Sequence, residues 1–138
     1  MSATAGYSGT PLPKKLGIKP GARLALLGAP AEFEAVLGDL PAGVRVLTRL
    51  GRDLDVIVFF SDSERRYRAR FEAMKASLAP NGGLWIAWPK RSSGVRSDLD
   101  ENLVREVALA GGLVDNKVCA IDPTWSGLRL VYRLRDRP

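Results

Sequence analysis

Residues Asp55–Glu64 read DVIVFFSDSE and form the clearest strand-to-helix transition in the sequence. After the leading aspartate, the next five residues are β-branched or aromatic, which is typical of a buried strand. Ser61 and Glu64 then match a capping box, in which the serine and glutamate side chains satisfy free amides at the start of a helix. The segment therefore predicts a strand followed directly by a helix that reaches about Leu78.

Strand and helix patterns continue to alternate on both sides of this segment. Short apolar runs predict strands at Arg23–Gly28, Val44–Leu47 and Leu84–Trp88, the last being apolar on both faces like a central strand between two helical layers. A helix with a capping pattern at Asp98 follows. We expect a three-layer, Rossmann-like α/β fold with a mostly parallel sheet.

The C-terminal part of the chain predicts an antiparallel hairpin at one edge of this sheet. Its strands are Val114–Ile121 and Leu128–Leu134, and Trp125–Gly127 is interpreted as part of the turn. Strict alternation places Asp115 and Lys117 on one strand face, where an ion pair is the expected role.

The composition fits one α/β domain over residues 1–138, with residues 1–13 as an extended N-terminal segment and a helical turn at Lys14–Gly17. A chain of 138 residues with 46% hydrophobic and 26% charged residues can bury one ordinary core. No apolar run approaches the ~20 residues of a transmembrane helix, and Met1–Gly6 lacks the pattern of a signal peptide. We therefore expect a cytoplasmic protein with no membrane partner.

The chain is basic, with 21 lysines and arginines against 15 acidic residues. This charge favours anionic partners, and the basic surface and the hairpin also permit a homodimer. Four arginines cluster in the helix that follows Ser61: Arg65, Arg66, Arg68 and Arg70. Because Glu64 and Arg68 have the spacing of a favourable helix ion pair, we interpret the cluster as a solvated face, and RNA binding is only the weaker alternative.

The absence of histidine excludes several classes of chemistry. Neither a Ser-His-Asp triad nor a Cys-His pair can form, and the commonest zinc ligand is missing. The single cysteine, Cys119, is interpreted as a buried structural thiol. We assign no catalytic residue and no metal ligand, and expect a non-catalytic domain.

Leu16–Gly28 and Leu78–Leu84 carry a resemblance to class I methyltransferases. Leu16–Gly28 is similar to the approach to their first strand, and Leu78–Leu84 is similar to the turn into their central strand. This resemblance implies a cofactor site after the first strand, at Gly28 and Ala29. The alternative function is therefore a small S-adenosylmethionine- or nucleotide-dependent transferase.

The residues around that site depart from the family's pattern. Leu26 stands where an acidic residue is expected late in the first strand, and Pro30, which has no amide hydrogen to offer a ligand, follows Ala29. Thr48–Leu50 offers no acid for the ribose hydroxyls, and the chain before Asp55 is too short for the strand and helix of the full fold. We expect a truncated fold with no intact cofactor site and no bound cofactor.

A second resemblance rests on the segments Tyr7–Leu12, Lys14–Gly21, Trp85–Lys90, Gly112–Val118 and Trp125–Leu128. Through them, nearly the whole chain resembles a bacterial family, domain of unknown function 3052, which implies a bacterial protein and lends no activity.

The segment Trp88–Arg96 is the candidate ligand site, since it leaves the carboxyl end of the predicted central strand, where open α/β sheets bind ligands. It combines an aromatic ring, three cations and a flexible serine-glycine turn, which suit a phosphate or a carboxylate. Its candidate residues are Trp88, Lys90, Arg91, Ser92, Ser93 and Arg96. We expect it to bind an anionic small molecule or a protein partner. The alternative is a solvated loop beside a core tryptophan.

Overall fold

A computed structural model describes residues 9–137, which fold into three layers around a six-stranded sheet. The elements are α1 (Leu12–Leu16), β1 (Arg23–Leu27), α2 (Phe33–Leu37), β2 (Arg45–Leu47), β3 (Leu54–Phe60), α3 (Glu64–Ser77), β4 (Leu78–Pro89), α4 (Glu101–Ala110), β5 (Leu113–Ala120) and β6 (Trp125–Tyr132), with 3-10 turns at Arg91–Ser93 and Leu134–Asp136. The strand order is β2-β1-β3-β4-β6-β5. The first four strands are parallel, and β6 is antiparallel to both β4 and β5. The predicted α/β class, mostly parallel sheet and C-terminal hairpin are confirmed.

The sheet is covered on both faces, which explains the unbroken apolar runs of its strands. One face packs against α3 and α4, with Tyr67 and Val104 among the buried residues of that core. The other face packs against α1 and α2, whose Leu16 and Phe33 are fully covered. Residues 48–53 join β2 to β3 without an intervening helix, so the fold is shortened where the sequence predicted it.

Helix α3 begins two residues later than the predicted capping box. Its N-cap is Ser63, whose Oγ accepts a hydrogen bond from the Arg66 amide at 3.1 Å. Ser61 cannot take this position because it is still bound to the sheet, where its amide donates to the Ala87 carbonyl at 3.0 Å. Its Oγ instead accepts from the Ser63 amide at 3.0 Å, which shapes the turn between strand and helix.

The cap of α4 is also displaced by two residues. Asp100 is the N-cap and accepts from the Leu103 amide at 2.9 Å. The predicted cap, Asp98, accepts instead from the Glu64 amide at 2.6 Å. Asp98 therefore caps the first turn of α3 and holds the loop before α4 against that helix.

The N-terminal segment becomes helical earlier than expected. Leu12 and Pro13 belong to α1, although the sequence placed them in an extended segment that ended at residue 13. Proline is tolerated in a first helical turn, and burial of Leu12 against the sheet favours the helix. Residues 1–8 of the expected segment lie outside the described residues.

Two expectations for the hairpin are wrong. Trp125–Gly127 lies in β6 rather than in the turn, because Asp122 Oδ1 accepts from the Thr124 and Trp125 amides, both at 2.8 Å, and closes the turn earlier. The Trp125 ring then packs edge-on against Phe60, with centroids 5.2 Å apart.

The second correction concerns β5, where Asp115 and Lys117 do not share a face. Asp115 pairs with Leu130 and Lys117 with Arg129, so one extra residue bulges between them and reverses the alternation. Asp115 accepts from Arg105 Nε at 3.1 Å, whereas Lys117 Nζ donates to the Lys15 carbonyl at 2.9 Å.

Replacing Tyr67 with phenylalanine tests the α3 core. The fully buried Tyr67 hydroxyl donates to the Val104 carbonyl at 2.9 Å, and burial raises its pKa. We expect Tyr67→Phe to lower the free energy of unfolding by about 1 kcal/mol, measured by urea denaturation. The half-buried Tyr132, which donates to the Lys75 carbonyl at 2.8 Å, is the control. A larger loss in Tyr132→Phe would contradict this account.

Candidate functional site

The carboxyl ends of the four parallel strands meet at one edge of the sheet. Strand β1 lies between β2 and β3. The connection from β1 to β2 therefore runs to one side of β1, and β3 is then placed on its other side. The crevice between β1 and β3 is therefore the topological switch point, the place where open α/β sheets bind ligands.

A cavity of about 360 Å³ opens at this switch point, and we call it the arginine cavity. Its lining residues are Leu27, Gly28, Thr48, Arg49, Phe59, Phe60, Arg66 and Arg70. Arg66 is 3.6 Å from Asp62 in an exposed i, i+4 pair. Within residues 9–137, the side chains of Arg49 and Arg70 have no ion-pair or hydrogen-bond partner. The cavity thus collects positive charge and has no acid in its lining.

Sequence reasoning missed this site. Arg66 and Arg70 lie one turn apart on α3 and were interpreted as a solvated face, together with Arg65 and Arg68. All four residues are exposed, as that interpretation expects, and Arg68 Nε donates to Glu64 at 2.8 Å. The interpretation did not include that Arg66 and Arg70 also line a cavity. The useful signal was Arg49, since it follows the end of β2 at the same sheet edge from which α3 begins.

Gly28 lines the cavity, but packing between strands explains why a glycine is needed there. Its φ is +68°, and a Cβ would lie 2.9 Å from the Phe60 carbonyl oxygen. Ala29 does not line the cavity and packs against the core on the α1 and α2 face. Leu26 is buried, and the Pro30 carbonyl accepts from the Phe33 amide at 3.0 Å.

These residues do not fit S-adenosylmethionine. The cavity lining holds no carboxylate for the ribose hydroxyls, and Arg49 stands close to where that acid was expected. In the segment after β1, Ala29 packs against the core, and Pro30 has no amide hydrogen to donate to a ligand. No step of a methyl transfer follows from this geometry.

The predicted loop lines a second cavity of about 510 Å³, which we call the loop cavity. Its lining residues are Trp88, Pro89, Arg91, Val95, Arg96, Ser97, Asp98, Leu99 and Asp100. Of the predicted residues, Trp88, Arg91 and Arg96 are therefore brought together, whereas Lys90, Ser92 and Ser93 are outside the lining.

Ser93 has a local role instead, since its Oγ donates to the Lys90 carbonyl at 2.6 Å and accepts from the Val95 amide at 3.1 Å. Both hydrogen bonds stabilise the 3-10 turn. The two acids that line the loop cavity, Asp98 and Asp100, offset its two arginines. The loop cavity is therefore close to neutral, unlike the arginine cavity.

Metal ligands, membrane-spanning helices and the single cysteine can also be assessed within residues 9–137. No group of three or more potential metal ligands is present there, and no helix is long and apolar enough to cross a membrane. Cys119 is half-buried, and burial raises the pKa of its thiol, which keeps it protonated.

Solved structures of methyltransferases resemble this chain in fold. A SAM-dependent methyltransferase from Aquifex aeolicus has a TM-score of 0.64 at 14% identity, covering 85% of each chain. The fibrillarin pre-rRNA processing protein of Methanococcus jannaschii has a TM-score of 0.61 at 17% identity, covering 89% of this chain and 69% of its own. A type 11 methyltransferase, described as putative, from Sulfolobus solfataricus has a TM-score of 0.59 at 15% identity, covering 88% and 89%.

The fold is that of SAM-dependent methyltransferases. No family model matches the sequence, and no curated protein matches it. The resemblance to the family of domain of unknown function 3052 therefore stays a prediction. At these identities, the similarity extends to the fold alone.

Replacing Asp98 with alanine tests how the loop is held. Because the Asp98 carboxylate caps the Glu64 amide, we expect Asp98→Ala to lower the free energy of unfolding by about 1 kcal/mol. Amide hydrogen exchange in residues 91–97 should also become faster. The control is Ser92→Ala, since Ser92 is exposed and its side chain has no hydrogen bond within residues 9–137. Equal free energies of unfolding for the two variants would contradict a stabilising role for the Asp98–Glu64 hydrogen bond.

Proposed function

We propose that this chain is a non-catalytic ligand-binding domain of methyltransferase-like fold, which holds a small anionic molecule in the arginine cavity. The observation that carries the proposal is the convergence of Arg49, Arg66 and Arg70 at the switch point of the sheet, with no acid in the lining. The net charge of +6 favours the same class of ligand.

The side chains of the arginine cavity suit phosphate groups. A guanidinium presents planar pairs of donors that match phosphate or carboxylate oxygens, and Thr48 adds a hydroxyl donor to the lining. The volume of about 360 Å³ is at the lower end of the range for small-molecule sites. A compact molecule with two or more negative charges fits these conditions.

The loop cavity is the second location for such a ligand. Trp88 supplies a ring face, while Arg91 and Arg96 supply cations. Asp98 and Asp100 repel a polyanion there, and both carboxylates already cap helices. We therefore place the main anion site in the arginine cavity rather than at Trp88–Arg96.

Arginine substitutions test this assignment. Binding of inorganic phosphate, pyrophosphate and ADP would be measured by calorimetry. Arg66→Ala and Arg70→Ala should each weaken binding of the best probe about tenfold or more, because a hydrogen bond to a charged group contributes about 1.5–3 kcal/mol. Arg65→Ala removes the same charge from the same helix outside the lining, and its effect should stay within about twofold because salt screens exposed charges.

Three results would contradict the assignment. If only Arg91→Ala and Arg96→Ala weakened binding, the site would move to the loop cavity. Equal losses in Arg65→Ala and Arg66→Ala, together with salt-sensitive binding of single-stranded RNA, would favour a nucleic-acid surface. The absence of saturable binding by any probe would remove the anion site.

A methyltransferase function is the second candidate, and the solved structures of similar fold favour it. We expect neither S-adenosylmethionine nor S-adenosylhomocysteine to raise the Tm saturably, because the lining lacks the required acid. Ligand at about 100 times its Kd would add ~2.7 kcal/mol, so binding would be visible as a shift of several degrees. A saturable shift with either compound would favour a transferase over our proposal.

A further inference from the structure

A third cavity lies at the opposite edge of the sheet, where β1 and β3 begin. Its volume is about 350 Å³. Its lining residues are Gly17, Lys19, Pro20, Gly21, Ala22, Asp55, Asn81 and Arg129. It shares no lining residue with the arginine cavity or the loop cavity, so we call it the amino-edge cavity.

Arg129 is the unusual residue of this cavity. Its side chain projects from β6 across β4, and a Cβ at Gly83 would overlap its Nε and its terminal nitrogen. Gly83 therefore provides the slot in which the guanidinium lies. Within residues 9–137, this half-buried guanidinium has neither an ion-pair nor a hydrogen-bond partner.

Leaving a cation half-buried without a partner is unfavourable. Burial lowers the pKa of Arg129, and no neighbouring anion opposes that shift. A bound carboxylate would restore the interactions that the guanidinium loses on leaving water, in a bidentate geometry that matches its donors.

Asp55 lines the same cavity and adds a negative group that a ligand must match. Its Oδ2 accepts from the Arg23 amide at 2.9 Å, and no ion pair joins it to Arg129. The cavity therefore presents one separated negative and one positive group, with Lys19 as a further cation. Asp55 repels a second negative group placed beside it, whereas a molecule with a carboxylate at one end and an ammonium at the other is complementary to both Arg129 and Asp55.

We propose that the amino-edge cavity binds the zwitterionic head of an α-amino acid, with its carboxylate on Arg129 and its ammonium group on Asp55. This site is independent of the proposed function, because it lies at the other edge of the sheet. No covalent chemistry is involved.

Titration of the full chain with each common L-amino acid, followed by NMR of backbone amides, tests the proposal. At least one should shift the Gly83, Arg129 and Ala22 resonances saturably below about 10 mM. The matched acid that lacks the amino group should bind at least tenfold more weakly. If no amino acid gives saturable shifts at these amides, the proposal is wrong.

Two variants separate binding from folding. Arg129→Gln removes an unpaired cation, so its Tm should be equal to or above that of the parent while amino-acid affinity falls tenfold or more. Asp55→Asn keeps an acceptor for the Arg23 amide, and should weaken the amino acid while sparing the matched acid. Arg66→Ala, in the arginine cavity, should leave amino-acid binding unchanged. A lower Tm in Arg129→Gln, or unchanged affinity in either site variant, would overturn the proposal.

Discussion

Strand β4 must be buried on both of its faces, and the rest of the architecture depends on that constraint. From Gly82 to Pro89 every residue of this strand is buried, so helices are required above and below it. Its Trp85 also carries a polar group into the interior, and Nε1 donates to the Leu16 carbonyl at 3.0 Å. This buried hydrogen bond satisfies the indole and fixes α1 to the sheet.

With both faces covered, the cavities with charged linings lie at the two edges where the parallel strands begin and end. The arginine cavity at the carboxyl edge is lined by three arginines, whereas the amino-edge cavity is lined by Asp55 and Arg129, which form no ion pair. One backbone contact links the two cavities of the carboxyl edge, because Asp62 pairs with Arg66 and its carbonyl accepts from the Asp98 amide at 3.2 Å. The position of the loop and the pairing of Arg66 therefore depend on the same residue.

The fold could be predicted from sequence because hydrophobic periodicity reports burial directly. The strand at Asp55–Phe60 and the buried residues Tyr67 and Phe71 follow from that pattern. The helix caps could not be placed, because Ser61 and Asp98 fit the local pattern equally well and only tertiary hydrogen bonds take them elsewhere. The candidate site could not be predicted, because the local sequence does not distinguish an arginine that lines a cavity from one that faces solvent.

The bulge in β5 has a consequence for contacts between molecules. An edge strand normally exposes a regular row of amides and carbonyls that a second chain can extend. Here the row is interrupted after Asp115, and Lys117 turns its ammonium group back to the Lys15 carbonyl. A bent, charged edge is a poor template for strand addition, so the chain is protected at this edge against sheet-to-sheet aggregation.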